Sequence, residues 1–290
     1  MSADAVDKRH VRLAFERAAT TYDAAAVLQH EVCARMAGRL DYIKLEPAVL
    51  LDAGSGTGNA LAPLRTRFRD AHIVAFDLAL AMLRAGRERT PWWRTLPGMR
   101  APLSQVCGDV ERLPFASGSI DMVWSNLALQ WVNDLPATFK EMHRVLKPGG
   151  LLMFSTFGPD TLKELRAAYA GSGYTHVNRF IDMHDIGDML IGARYADPVM
   201  DMEPFTLTYD TVRDVMHDLK AIGAHNVTAG RPGGMTGKRL LQSVTDAYEA
   251  ARRDGRLPAT FEVIYGHAWK AMPRVSSTGR PIIDIAVKGS

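Results

Sequence analysis

The sequence predicts an α/β fold, a mostly parallel sheet with helices on both faces. Three observations predict it. Short apolar runs alternate with segments of helical periodicity along most of the chain. The early runs are apolar throughout rather than at every second residue, as strands buried on both faces require. The first run also breaks into closely spaced glycines, which permit the left-handed backbone of a tight strand-to-helix turn. With 290 residues, 47% hydrophobic and 23% charged, the chain can bury a sizeable core. That composition excludes a disordered tail protein, a collagen-like repeat and a small disulfide scaffold.

The elements follow in order. Residues 8–40 read as helices, with Leu13, Ala14, Ala18, Val27, Leu28, Val32 and Met36 at helical spacing. Thr20 or Thr21 is placed to cap the second of them. Ala48 to Asp52 is the first strand, LAPLRTRF a short helix, and HIVAFDL a second strand that ends in an acid. LALAMLRAGRER is a helix, and the proline-rich PWWRTLPGMRAPL a loop. SQVCGDV and IDMVWSNLAL are the next strands. LPATFKEMHRVL is a helix that the Lys147–Gly150 turn should stop, with LLMFSTF as the fifth strand. Beyond residue 157 the alternation weakens. PDTLKELRAAY starts a helix, with Pro159 near its first turn and Thr161 near its cap. DMHDIGDMLIGA is another helix, and PVMDMEPFTLTY alternates like a strand. TVRDVMHDLKAIGA and KRLLQSVTDAYEAARRD form a helical pair, ATFEVIYGHAWKA is the last strand, and Val275 onward a tail. The chain thus divides into a helical cap (1–45), an α/β core (46–210), a helical lid insertion (211–257) and a closing strand with tail (258–290).

Lys and Arg number 35 against 32 Asp and Glu, a net charge of +3, far from a nucleic-acid-binding signature. The excess is local. Thr211 to Leu257 holds eight basic residues and five acidic ones, readable as a solvated helical face or as a docking patch. Cys33 and Cys107 are too few for a disulfide framework and sit in no CxxC or CxxH cluster. His143, His225 and His267 lack metal spacing, so no metal is expected. No apolar stretch approaches the 18 residues of a membrane span, and the N-terminus has no apolar signal region. A cytoplasmic, monomeric protein is expected.

The strongest signal is VLLDAGSGTG, with Asp52 followed by Gly54, Gly56 and Gly58. It departs from the dinucleotide pattern GxGxxG, because residue 59 is Asn. A carboxylate at such a turn repels a pyrophosphate but suits a ligand carrying an ammonium group, which points to S-adenosyl-L-methionine. Asp77 ends the second strand, 25 residues after Asp52, where an acid can accept both hydroxyls of a ribose. Asp109 ends the third, where it can accept from an adenine amino group. Each acid alone could be a helix cap. Together, in this order on successive strands, they read as one site.

This arrangement resembles a class I S-adenosylmethionine-dependent methyltransferase over about residues 48–158. The resemblance implies a Rossmann-like, seven-stranded, mostly parallel sheet whose last strand is antiparallel. It implies that Asp52, Gly54, Gly56 and Gly58 line the methionine end of the cofactor. Asp77 would hold the ribose, Asp109 and Val110 the adenine, and Asn126 would border the reacting methyl. Four further segments narrow the family. FERAATTYD at 15–23, WSNLALQW at 124–131, FSTFGPDTLKELR at 154–166 and LKAIGA at 219–224 occur together. This set resembles the malonyl-[acyl-carrier protein] O-methyltransferase family of biotin synthesis, from about Arg9 to Lys270. That family methylates the free carboxylate of a malonyl group on acyl carrier protein, or on coenzyme A, and releases S-adenosylhomocysteine. The implied partner is an acidic carrier protein.

A carboxylate with a pKa near about 4 is already ionised at neutral pH and needs no general base, which accounts for the absence of a catalytic dyad. It does need a cation, and a bidentate arginine suits it best. Arg179, Lys220 and Arg231 are the candidates, each equally readable as a surface cation. Tyr22, among the small residues Ala18, Ala19 and Ala24–Ala26, is a further candidate for the active site. Trp124 and Trp131 are candidate pocket walls. The 211–257 excess and the cluster Lys8, Arg9 and Arg12 are candidate docking patches for the carrier. Three other readings compete: a related protein-arginine hydroxylase of respiratory complex I assembly, similar over 254–270; another small-molecule carboxylate or quinone-type methyltransferase; and a non-catalytic module that holds the cofactor without turnover.

Overall fold

The computed structural model describes residues 6–89, 102–170, 180–221 and 238–273. Seven strands form one sheet in the order β3-β2-β1-β4-β5-β7-β6. They are β1 (Val49–Ala53), β2 (His72–Asp77), β3 (Leu103–Cys107), β4 (Ile120–Asn126), β5 (Leu146–Phe157), β6 (Tyr195–Tyr209) and β7 (Leu257–Lys270). The first five run parallel. β7 lies antiparallel between β5 and β6, so the expected seven strands with an antiparallel last one are present.

The N-terminal region is helical, as read, and comprises three helices, α1 (Lys8–Ala18), α2 (Tyr22–Ala25) and α3 (Val27–Arg39), with a 3-10 turn at Leu40–Tyr42. Asp7 caps α1 by accepting from Arg9 N and His10 N at 3.0 and 3.1 Å. Thr21 stands at the cap position of α2 but makes no cap bond. Its backbone is helical there, and its hydroxyl turns back to donate to Ala18 O at 3.3 Å.

Along the core, α4 (Leu61–Arg67), α5 (Leu80–Arg89) and α6 (Leu135–Val145) alternate with strands as read from the sequence. Asp134 accepts from Ala137 N at 2.8 Å and Pro136 occupies the first turn, which together start α6. The helix stops at Val145, but Lys147–Gly150 is not a free turn between elements. It lies inside β5 as an irregularity, because pairing with β4 jumps from Ile120↔Leu146 to Met122↔Leu151. Gly149, at φ +76°, supplies the left-handed residue of that jump.

The next helix also differs. α7 spans only Lys163–Ala168. Pro159 precedes it, and Thr161 is not its cap, since that hydroxyl donates to Glu262 O at 3.1 Å. Leu162, left-handed at φ 55°, holds the cap position. α8 (Met183–Gly192) is capped by Asp182, which accepts from His184 N at 2.8 Å. α9 (Val212–Ala221) and α10 (Lys238–Glu249) are inserted between β6 and β7, as the sequence suggested. The loop at 90–101 and the tail from 274 lie outside the described residues.

Side chains of the inner strands alternate between two cores. Leu50 and Trp124 join α3, α4, α9 and α10 on one face. Leu51 and Val123 join α6 and α8 on the other, where Phe139 and Phe154 pack at 5.5 Å between ring centroids. These residues are fully buried, and each such leucine contributes roughly 1.5–3 kcal/mol. Among the described residues no helix is long and apolar enough to cross a membrane.

Candidate active site

The parallel strands end together, and the segments that leave them build one cavity of about 640 Å³, its open mouth included. After β1 the chain turns sharply. Gly54 N and Ser55 N donate to Phe76 O at 2.8 and 3.0 Å, which ties the glycine loop to β2. Gly54, at φ +86°, passes so close to the turn after β4 that a Cβ would lie 2.3 Å from Ala128 Cβ. Gly56, at φ +56°, faces space instead, with only Met82 Cε at 3.9 Å. Its missing side chain leaves room for a ligand against the backbone. Gly58 is also left-handed, at φ +85°, but it supports the loop and does not line the cavity.

Asp77, at the end of β2, accepts from Gly56 N and Ala79 N, both at 2.8 Å. Its carboxylate lines the cavity. Burial raises its pKa, against the opposing pull of these backbone bonds. Asp52 sits below the cavity wall rather than in it. It is 1% exposed, and its Oδ2 has no hydrogen-bond partner among the described residues. Burial, with the nearby Asp77 carboxylate adding to it, pushes its pKa up to about 7. Asp109 and Val110 line the far end. Asn126, at the end of β4, accepts from Ser155 Oγ at 2.9 Å and donates to Gln29 O at 3.1 Å. These bonds fix its amide at the cavity wall beneath α3.

The roof comes from α1 and α2. Lys8, Val11 and Phe15 follow one another on successive turns of α1, and Tyr22 continues from α2. Phe15 packs edge-on against Tyr22 and Trp131, with centroids 6.3 and 5.6 Å apart. Burial and the Asp77 charge raise the Tyr22 pKa far above its usual value, so its hydroxyl stays protonated. Thr57 Oγ1 donates to the Asp23 carboxylate, which fastens α2 to the glycine loop.

Several sequence expectations change. Trp131 walls the cavity, but Trp124 does not. Its side chain points into the core and is fully buried, because it shares a sheet face with Leu50. Arg179 and Arg231 lie outside the described residues. Lys220 is on α9, with its side chain outside the described part. The described residues of α9 and α10 supply no cavity wall; α9 packs on α2 and β6, and α10 on α7. Lys8 is no free docking cation, since it pairs with Asp109 and Glu111 at 2.9 and 2.7 Å. Arg9 and Arg12 are exposed beside it. Arg252 is likewise engaged, with Glu249 and with the Gly255 and Asp210 carbonyls. His143 lies against Tyr195 at 5.1 Å, away from the cavity, and burial lowers its pKa and that of His267; His225 lies outside the described residues. Sequence reasoning missed Lys8, Val11 and Phe15 as a roof. Their spacing along one helical face was the available signal.

The residues present fit S-adenosylmethionine. A buried carboxylate with one oxygen unpartnered lies beside a loop whose backbone is open to close approach. An acid stands at each of the next two strand ends, and the aromatic roof is apolar. Fold and site together define a class I S-adenosylmethionine-dependent methyltransferase. A family model for a methyltransferase domain matches residues 51–154. A malonyl-[acyl-carrier protein] O-methyltransferase from Gallionella capsiferriformans is 58% identical over 289 residues, 99% of each chain. The chain belongs to the malonyl-[acyl-carrier protein] O-methyltransferase family. The enzyme of that name from Nitrosospira multiformis is 58% identical over 93% of this chain and 92% of its own. Among solved structures, the YcgJ protein from Bacillus subtilis shares the fold at a TM-score of 0.56 and 16% identity, over 82% of this chain and 98% of that one. The cyclase SpnF also shares it, at 0.53 and 16%, over 84% and 81%. The fold therefore does not choose the reaction.

Proposed function

We propose that the protein methylates the free carboxylate of malonyl-acyl carrier protein, giving the malonyl methyl ester and S-adenosylhomocysteine early in biotin synthesis. The observation that carries this reading is the 58% identity to a malonyl-[acyl-carrier protein] O-methyltransferase across 99% of both chains. That similarity extends well beyond the methyltransferase-domain match at 51–154, into the segments expected to choose the acceptor.

When bound, S-adenosylmethionine supplies an electrophilic methyl on a sulfonium that is already a good leaving group. The acceptor carboxylate is ionised, so the chain needs to orient, neutralise and keep water out. Orientation alone can supply roughly 7–11 kcal/mol. In this reading Asp52 takes the ammonium end, with Gly54 and Gly56 giving backbone approach and Gly58 shaping the loop. Asp77 takes the ribose hydroxyls, and Asp109 with Val110 the adenine. Asn126 and Tyr22 border the reacting methyl. Arg179, Lys220 and Arg231 are the cations proposed for the acceptor carboxylate. The 1–45 cap, whose Val11, Phe15 and Tyr22 line the cavity, closes the pocket against water, which favours a reaction that neutralises charge. Exposed Arg9, Arg12 and Arg253 are proposed to meet the acidic carrier. The protein would act as a cytoplasmic monomer.

The test mixes purified protein with S-adenosylmethionine and either malonyl- or acetyl-acyl carrier protein, read by intact-mass spectrometry. The expected result is a gain of one methylene unit on the malonyl form only, beyond one equivalent of enzyme. No gain, with the cofactor still binding, overturns the acceptor assignment and leaves the cofactor site standing.

A further inference from the structure

We propose that Lys8 is a cofactor-positioning residue, a latch that ties the roof of the pocket to Asp109 at its far end and to the adjacent Glu111. Cofactor or product then exchanges only after α1 has released those acids. The inference rests on the cofactor site described above.

The roof helix has limited apolar anchorage: Val11 and Ala18 are buried, and Phe15 packs on Tyr22 and Trp131. Its N-terminal end is held by polar contacts instead. Lys8 Nζ lies 2.9 Å from Asp109 Oδ1 and 2.7 Å from Glu111 Oε2. All three side chains are less than a third exposed, at 22%, 32% and 21%, so solvent screens the pairs only in part. Glu111 is a hub, because its Oε1 accepts from Asn133 N and Asp134 N at 2.7 and 3.0 Å. Asn133 in turn exchanges two bonds with Val6, at 2.8 and 3.1 Å. The cap at Asp7 fixes the start of the helix next to Lys8.

The same contact orients Asp109. Its Oδ1 accepts from Lys8 and from Glu111 N at 3.1 Å, which leaves Oδ2 available to an amino group in the cavity. Lys8 thereby does two things. It presents one carboxylate oxygen to the ligand and locks the cover above it. A roof whose N-terminal end is held by ion pairs can open there without unpacking the main core, which a cofactor exchanged at every turnover requires.

The experiment is stopped-flow displacement of S-adenosylhomocysteine, followed by intrinsic tryptophan fluorescence, on wild type, Lys8→Met, Lys8→Gln, Lys8→Arg and Asn133→Ala. Thermal unfolding of each is measured in parallel. Lys8→Met and Lys8→Gln should each speed dissociation about tenfold. Lys8→Arg should restore most of the slow rate, and Asn133→Ala should give a smaller acceleration. An unchanged off-rate in the folded neutral variants overturns the latch, as does an arginine variant no slower than methionine. Failure of the wild type to bind S-adenosylhomocysteine would overturn the cofactor site itself, a separate result.

Discussion

Replacing Asp52 by asparagine should move stability and cofactor affinity in opposite directions. Burial raises the Asp52 pKa from 3.8 to about 7. Each unit is about 1.4 kcal/mol of linkage, so the ionised side chain costs the folded apoprotein at most about 4 kcal/mol at neutral pH. The sign follows from which state holds the proton more tightly. Folded Asp52 keeps its proton to higher pH than the unfolded chain does. The wild type is therefore favoured below the ordinary carboxylate range, loses that advantage as pH rises, and is flat above about 7. Asparagine is neutral throughout, but it leaves a polar group at the unpartnered Oδ2 position, at a cost of about 1–3 kcal/mol. Above neutrality the variant should then be about 1–3 kcal/mol more stable than wild type, with the difference vanishing or reversing near pH 4. Urea unfolding at several pH values reads this. Calorimetry with S-adenosylhomocysteine reads the other side, where loss of the carboxylate should weaken binding at least about tenfold. Wild-type affinity should also rise with pH toward 7, because the proton must leave before an ammonium can pair, while the variant's stays flat. Parallel stability curves for the two proteins would refute the buried-charge account. Equal affinities would refute the ammonium assignment.

Other outcomes are expected. Gly56→Ala should cost only about 1–2 kcal/mol of stability, from its left-handed backbone, yet abolish measurable cofactor binding. Gly54→Ala should fail to fold well, since its Cβ meets Ala128; circular dichroism and calorimetry separate the two. Cys107 is exposed, while Cys33 is buried with its thiol pushed up to about 12, so a maleimide should label one thiol in the native protein and two in denaturant. Arg253→Glu should raise KM for the carrier-bound acceptor without changing cofactor affinity, whereas Arg252→Glu should lower Tm because it breaks the turn between α10 and β7.

The sheet and the cofactor loop were legible because their signals are local. β1 is apolar up to Asp52 since both of its faces are covered, and Asp52, Asp77 and Asp109 mark successive strand ends in one stretch of chain. What escaped depends on distant partners. Lys8 meets Asp109 across 101 positions, so a basic N-terminal cluster looked like free charge. Trp124 and Trp131 are alike in type, and only the pleat of β4 sends one into the core. Lys147–Gly150 looked like a turn because its composition is that of one, and pairing with β4 on either side of it, at Leu146 and from Leu151, absorbed it into the strand. Thr161 looked like a cap until β7 supplied the carbonyl that its hydroxyl prefers.

Tyr209 and Leu257 are register partners on β6 and β7, although everything from Asp210 to Arg256 lies between them. To the sheet, that whole stretch is one closed hairpin connection. Closing a longer connection costs only logarithmically more entropy, so its length can drift with little penalty to the sheet beneath. As far as the sheet's stability is concerned, evolution or an engineer can therefore treat the stretch as an exchangeable cassette, with acceptor choice changing along with it. The conditions are that both ends return to neighbouring positions and that the replacement keeps apolar groups where Val215, Val244 and Tyr248 now seal the core.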